Sequence, residues 1–388
     1  MASHRPTGWL GVGMLGLCHG LSDFYATLLT PLVETFRTMF ALSVTSVSAL
    51  GLVVGVFGSM MQPVLGLVGD RVHRGRLAAA GLLVSAVFMS AIGLAPSAGA
   101  LAALLVVGAL GVAAFHPSGA ALASRPGRER GLAVGLFLGG GGLGLALSPL
   151  AVGWLVREQA DLPWLCVLAV PGVLFSAWVF RVAGGEERWA SPGRRFVLGV
   201  LFERGTRPLW ALFAAATLRS SVFVSFPFFL TVLGATRGWD RAASSRVLAL
   251  FMACAVAGGM LGGVLARWVD GRWVLGVSCV AASPLFFLFA SRGGVAGVVA
   301  FAAAGAVFGL GNPMNVALAQ ELRPRSASAV SGLMMGLAWG LANVVMLGAG
   351  AAAEHVGVGT ALQGVAWLSA MAGLFVVFLP RGGEGAGG

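Results

Sequence analysis

Three ionisable residues stand where an apolar chain has little use for them. His19 and Asp23 are four residues apart, which sets them on one face of a helix. The apolar run around them, Trp9–Leu32, is long enough to cross a bilayer, and Asp23 falls near its middle. A charge at that depth costs at least about 2.5–3.5 kcal/mol, so the carboxylate is expected to face the protein interior and to do a job there. The third residue, His116, sits in Phe115-His116-Pro117-Ser118-Gly119. Proline removes a backbone N–H and frees a carbonyl near the imidazole. Because histidine changes charge between about pH 5 and 8, it suits a proton carrier. Asp23, with either His19 or His116, is the expected proton-coupling group.

The complementary charge is Arg219, at an equivalent depth in a later apolar run, Pro208–Ala235. It is expected to bind an anionic group, and to pair with Asp23 across two halves of the protein when that group is absent. Phe115, Gln62, Asn312 and Asn343 complete the expected substrate-binding set. For the three amides, a hydrogen-bonding role in packing is equally open.

Composition decides what kind of scaffold holds these groups. Of 388 residues only 39 are formally charged, and the hydrophobic types make up 58% with 60 glycines besides. That is far too apolar for a soluble surface and leaves a polytopic membrane protein. All 25 basic residues are Arg, which excludes a phosphate-loop lysine or a Schiff base. Four cysteines in apolar stretches form no CxxC pair and read as small buried hydrophobes. Neither HExxH nor GxSxG is present, so no enzyme, no metal and no cofactor are expected. The glycine run Gly139–Gly142 lies inside an apolar span without a preceding strand, and is no nucleotide loop.

Twelve apolar runs are long enough to span, from Trp9–Leu32 and Thr45–Gly69 to Ser328–Ala353 and Thr360–Pro380. With the N-terminus placed inside, 18 Arg fall in cytoplasmic segments and 6 outside. This bias puts both termini in the cytoplasm of a cell inner membrane. It also accounts for the net charge of +11, so no nucleic-acid partner is expected. The fold class is all-α, twelve transmembrane helices in two six-helix bundles. One bundle is expected over 1–182, a charged cytoplasmic linker over 183–207, and the second bundle over 208–388.

An internal repeat supports the division. Shifting by 196 residues puts Pro31 on Pro227, Pro117 on Pro313, Asp23 on Arg219 and His116 on Asn312. Gly66, Arg71, Gly75 and Arg76 land on Gly262, Arg267, Gly271 and Arg272. A parallel repeat of six spans is one of the organisations transporters use.

The first of these loops, Gly66-Leu-Val-Gly-Asp70-Arg71-Val-His-Arg74-Gly75-Arg76, resembles the G-x-x-x-D-R-x-G-R signature of the major facilitator superfamily. Gly66, Asp70, Arg71 and Arg76, with the degenerate copy at Gly262, Arg267 and Arg272, are the expected conformational loop motif. Three further segments, His19-x3-Asp23, Gln62-Pro63-x2-Gly66 and Phe115-His116-Pro117-x-Gly119, make the whole chain resemble the fosmidomycin-resistance family within that superfamily. The resemblance implies a monomeric secondary transporter working by alternating access, with protons and a small molecule as its ligands. It further implies proton-driven export of drugs, anionic phosphonates among them. Helix five departs from the antiporter signature at Ser148 and Val152, and Leu105 stands where many drug/proton antiporters carry Arg. A proton symporter or facilitator for a metabolite is the alternative, and an intramembrane enzyme a more remote one.

Overall fold

The computed structural model describes residues 9–123, 130–183 and 206–380. The helix α1 covers Trp9–Ala26. The other spans are α2 (Val44–Gly69), α3 (Arg74–Leu94), α4 (Ala98–Ala123), α5 (Gly135–Leu155), α6 (Gln159–Ala183), α7 (Arg207–Thr236), α8 (Arg241–Leu265), α9 (Gly271–Ser291), α10 (Gly294–Leu322), α11 (Ala329–Val356) and α12 (Val358–Phe378). These eleven, α2 to α12, are long and apolar enough to cross a membrane. The helix α1 is 18 residues long and carries His19 and Asp23, the polar load that sets it apart. The chain is an all-α membrane protein. Most of the expected linker, residues 184–205, and the ends 1–8 and 381–388 lie outside the described residues.

Packing follows the repeat. In the first half α3 packs on α4 and on α6, and α1 on α5; in the second half α9 packs on α10 and on α12, and α7 on α11. Contacts divide the chain into two compact units. One comprises Met1–Phe36, Val53–Pro192 and Arg241–Ala249; the other comprises Arg37–Leu52, Gly193–Asp240 and Leu250–Gly388. The start of α2 therefore packs with the second unit and the start of α8 with the first.

Glycine sets the closest approaches. A Cβ at Gly140 or Gly144 would collide with the backbone of Gly16 or Gly20, so α1 and α5 touch main chain to main chain. A similar close contact in the second unit joins α8 to α10, where a Cβ at Gly258 or Gly262 would strike the carbonyls of Ala306 or Leu310. Two spans are broken where proline removes an amide. In α2 a π-type turn at Val56–Met60 precedes Gln62-Pro63. In α10 the helix stops at Gly309 and restarts at Met314, after Asn312-Pro313.

Candidate functional site

The α1–α5 contact delivers the first group of polar side chains. His19 lies on the face of α1 turned to α5, and its Nδ1 donates to the Phe137 carbonyl at 2.8 Å. Its ring stacks flat on Phe137, with centroids 4.1 Å apart and 5° between planes. One turn on, Asp23 Oδ2 is 3.5 Å from His19 Nε2. The other oxygen, Oδ1, lies 2.8 Å from His116 Nε2 on α4. His116 Nδ1 in turn donates to the Val112 carbonyl at 2.9 Å. Pro117 leaves the Ala113 carbonyl without its usual donor, but the imidazole uses the neighbouring one.

These bonds fix the tautomers. A carbonyl only accepts, so both Nδ1 atoms carry hydrogen and both Nε2 atoms of the neutral rings present lone pairs. Two imidazole lone pairs and a carboxylate then face one another, and no other donor reaches the carboxylate among the described residues. The 2.8 Å contact between His116 and Asp23 therefore needs a cation between acceptors, and a single proton suffices. His19 is 5% exposed, and the Asp23 and His116 side chains are about one-sixth exposed, at 17% and 16%. The rear is closed by α5, where a Cβ on Gly141 would come 2.5 Å from Asp23 Oδ2 and 2.6 Å from His19 Cε1. Phe115 is fully buried behind the group and stacks with Phe137. It supports the histidines and offers no surface to a substrate here.

The second unit holds the repeat-equivalent arrangement with different chemistry. Arg219 on α7 is 4% exposed. One guanidinium nitrogen donates to Asn312 Oδ1 at 2.7 Å, and another donates to the Phe308 carbonyl. The guanidinium carbon lies 4.1 Å from the centre of the Phe308 ring. Nε has no hydrogen-bond partner among the described residues. Asn312 corresponds to His116 and Phe308 to Val112 at the same 196-residue offset. Both cross-helix bonds thus span 93 residues, a coincidence that only a shared backbone frame produces.

The expected pairing of Asp23 with Arg219 would join the two units, and each charge already has partners within its own. Asp23 takes its partners from α1 and α4 of its own unit, and Arg219 takes its hydrogen bonds from α10 of its own and lies beside the Cys279 thiol of α9. The reason is reach: within a bundle a midplane charge finds donors or carbonyls one helix away, where the packing fixes them. Gln62 donates to the Gly58 carbonyl at 3.0 Å, and Asn343 donates to the Trp339 carbonyl at 2.8 Å. Both satisfy their own helices; Asn343 is buried and Gln62 half-buried. Sequence reasoning missed Phe137, whose backbone oxygen orients His19, and Gly141.

In the loop motif, Gly66 and Gly262 are buried while Arg71, Arg76 and Arg267 are exposed. The Asp70 side chain lies outside the described residues. Arg272 is paired with Asp270 at 3.1 Å and reaches the Leu379 carbonyl at 3.3 Å, tying the start of α9 to the end of α12.

The profile of the major facilitator superfamily matches residues 15–347, including both members of the repeat. The chain belongs to the major facilitator superfamily. It is similar to the MFS-type transporter YfnC of Bacillus subtilis, at 24% identity over 95% of this chain and 92% of the relative. It is equally similar, at 24% identity over 95% and 92%, to a fosmidomycin resistance protein of Escherichia coli. Among solved structures, the nucleoside transporter NupG superposes with a TM-score of 0.78 at 14% identity, covering 95% of this chain and 99% of that one. A bacterial homologue of the human lysosomal transporter Spinster, inward-facing and occupied, gives 0.77 at 16% identity, with 97% of both chains covered. The protein is therefore a secondary transporter of a small molecule, embedded in the membrane. Nothing in its fold or relatives points to catalysis.

Proposed function

We propose that this major facilitator protein is a proton-coupled exporter of a small anionic drug or metabolite, working by exchange from a cell inner membrane with both termini cytoplasmic. One observation carries the reading: a single repeated frame holds a proton-demanding carboxylate–imidazole contact in one unit and a guanidinium without a carboxylate in the other. Asp23 and His116 share the proton between Oδ1 and Nε2, at 2.8 Å. His19, held by the Phe137 carbonyl, stands beside the carboxylate as a second proton acceptor, its Nε2 3.5 Å from Oδ2. Arg219 supplies the positive charge for the anion, with no carboxylate beside it among the described residues. A carboxylate, phosphate or phosphonate suits that fork. The resemblance to a fosmidomycin resistance protein supports the outward direction.

Charge counting favours a second reading in one respect. A protonated Asp23–His116 pair is neutral overall, and so is Arg219 with a monoanion. Loading both or emptying both leaves no net buried charge, which suits symport, whereas strict exchange moves through charged states. The two readings part in proteoliposomes, with fosmidomycin as the probe anion. Under an acid exterior, exchange speeds loss of preloaded probe, while symport speeds uptake of external probe. Transport that ignores the pH gradient in both arrangements would remove proton coupling altogether.

A further inference from the structure

Four acceptor atoms converge at the α1–α4–α5 contact with no protein donor between them. They are His19 Nε2, His116 Nε2 and the two oxygens of Asp23. The ligand-capable atoms of the three residues all lie within 4.8 Å of one another. The two recorded separations to the carboxylate are 3.5 Å and 2.8 Å. A tetrahedral ion with Zn–N and Zn–O bonds of about 2.0–2.2 Å needs ligand atoms about 3.3–3.5 Å apart, so small side-chain rotations reach that spacing.

We propose that His19, Asp23 and His116 form a binding site for one divalent transition-metal cation. Two features beyond the cluster argue for it. Each histidine has its Nδ1–H tied to a backbone carbonyl, Phe137 for His19 and Val112 for His116, which leaves Nε2 as the ligand atom. This is the outer-shell arrangement that orients metal-bound histidines and raises their basicity. The group is also backed by main chain while part of its surface stays accessible. The Gly141 backbone closes the rear, while the Asp23 and His116 side chains keep 17% and 16% of their surface. The fourth coordination position thus falls on the accessible side, open to water or an anionic ligand. Two imidazoles and one carboxylate select zinc, cobalt, nickel or copper over magnesium and calcium, which favour all-oxygen shells. This inference does not rest on proton coupling, since binding can be measured without transport.

The test uses the full-length protein in chelator-free detergent micelles, with Co2+ as the spectroscopic probe and Zn2+ as competitor. One equivalent of Co2+ is expected, with the intense visible absorption of a four-coordinate site, and Zn2+ should abolish that signal. Asp23→Asn, His116→Asn and His19→Asn should each weaken binding by at least about 10–100-fold, the range already reached when only an outer-shell partner is lost. His73→Ala and His355→Ala should leave it unchanged. Absence of the Co2+ spectrum at millimolar metal, or binding that survives all three substitutions, overturns the site. Should the variants fail to fold, X-ray absorption of Co2+ on the wild type decides the matter. Two imidazoles in the first shell support the site, and an all-oxygen shell refutes it.

Discussion

The Asp23–His116 contact and the Arg219–Asn312 contact occupy the same frame, 196 residues apart, and carry opposite charge. In the first unit the bond at 2.8 Å joins two groups that each gain or lose a proton. In the second the bond at 2.7 Å joins a guanidinium that stays charged to an amide that never titrates. Both helix pairs lend a carbonyl at the equivalent position, Val112 and Phe308. The two carbonyls serve different ends, Val112 accepting from His116 on its own helix and Phe308 from Arg219 on another, so one shared frame carries separate chemistry, one half suited to a cation that comes and goes, the other to an anion. Breaking the comparison means removing the charge from one half and asking whether the other still works.

The largest effect is expected from Asp23→Asn. An amide can still hydrogen-bond His116, so the fold should survive, but no proton need then be shared. Acid-driven movement of the probe anion in proteoliposomes should disappear, while binding at Arg219 persists in equilibrium assays. If Asp23→Asn still concentrates the probe against its gradient, Asp23 is structural. Next comes Arg219→Gln, which removes the positive charge and keeps a donor for Asn312. Hydrogen bonds to charged groups contribute about 1.5–3 kcal/mol, so anion affinity should fall about 10–100-fold. The same variant should melt at a higher temperature in detergent, because a buried cation without a carboxylate is costly. A melt that falls instead would show that Arg219 holds α7 to α10 more than it serves a ligand.

A smaller effect sharpens how the first unit is built. Gly141→Ala puts a methyl 2.5 Å from Asp23 Oδ2 and 2.6 Å from His19 Cε1. Overpacking of this kind costs about 1–3 kcal/mol. Here the strain falls on the proton-sharing group, so coupling should suffer more than expression. The measurement is the ratio of acid-driven to downhill transport, which should drop; an unchanged ratio would mean that the carboxylate can move without consequence.

How much of this was legible depended on whether a signal resided in side-chain identity. Asp23, His19 and Arg219 announced themselves because a charge inside an apolar run is expensive. The repeat makes His116 and Asn312 equivalent positions from the sequence alone. The partners of Arg219 within its own unit, Asn312 and the Phe308 carbonyl, carry no charge signal in the sequence, because charge complementarity says nothing about reach. Phe137 was invisible for a different reason: it contributes a backbone oxygen, which every residue has. Glycine spacing by itself does not say which face of a helix packs. Gly140-x3-Gly144 and Gly258-x3-Gly262 do make the close helix contacts, whereas a Cβ added at Gly135, Gly139 or Gly263 would meet nothing within 4 Å. The motif is the same in each case, and only the face of the helix on which it falls differs.

That difference yields the smallest prediction and a control for the others. Gly139 and Gly141 share α5, two residues apart, yet a Cβ at Gly139 meets open space. Alanine is the better helix former by about 0.8–1.0 kcal/mol in an exposed helix interior, and an open position exacts no steric penalty in return. Gly139→Ala should therefore leave proton-driven transport unchanged and hold or slightly raise the melting temperature, while Gly141→Ala lowers coupling. Should both substitutions damage transport equally, the sensitivity would belong to α5 as a flexible glycine-rich helix. The Asp23 contact would then lose its claim to be what Gly141 protects.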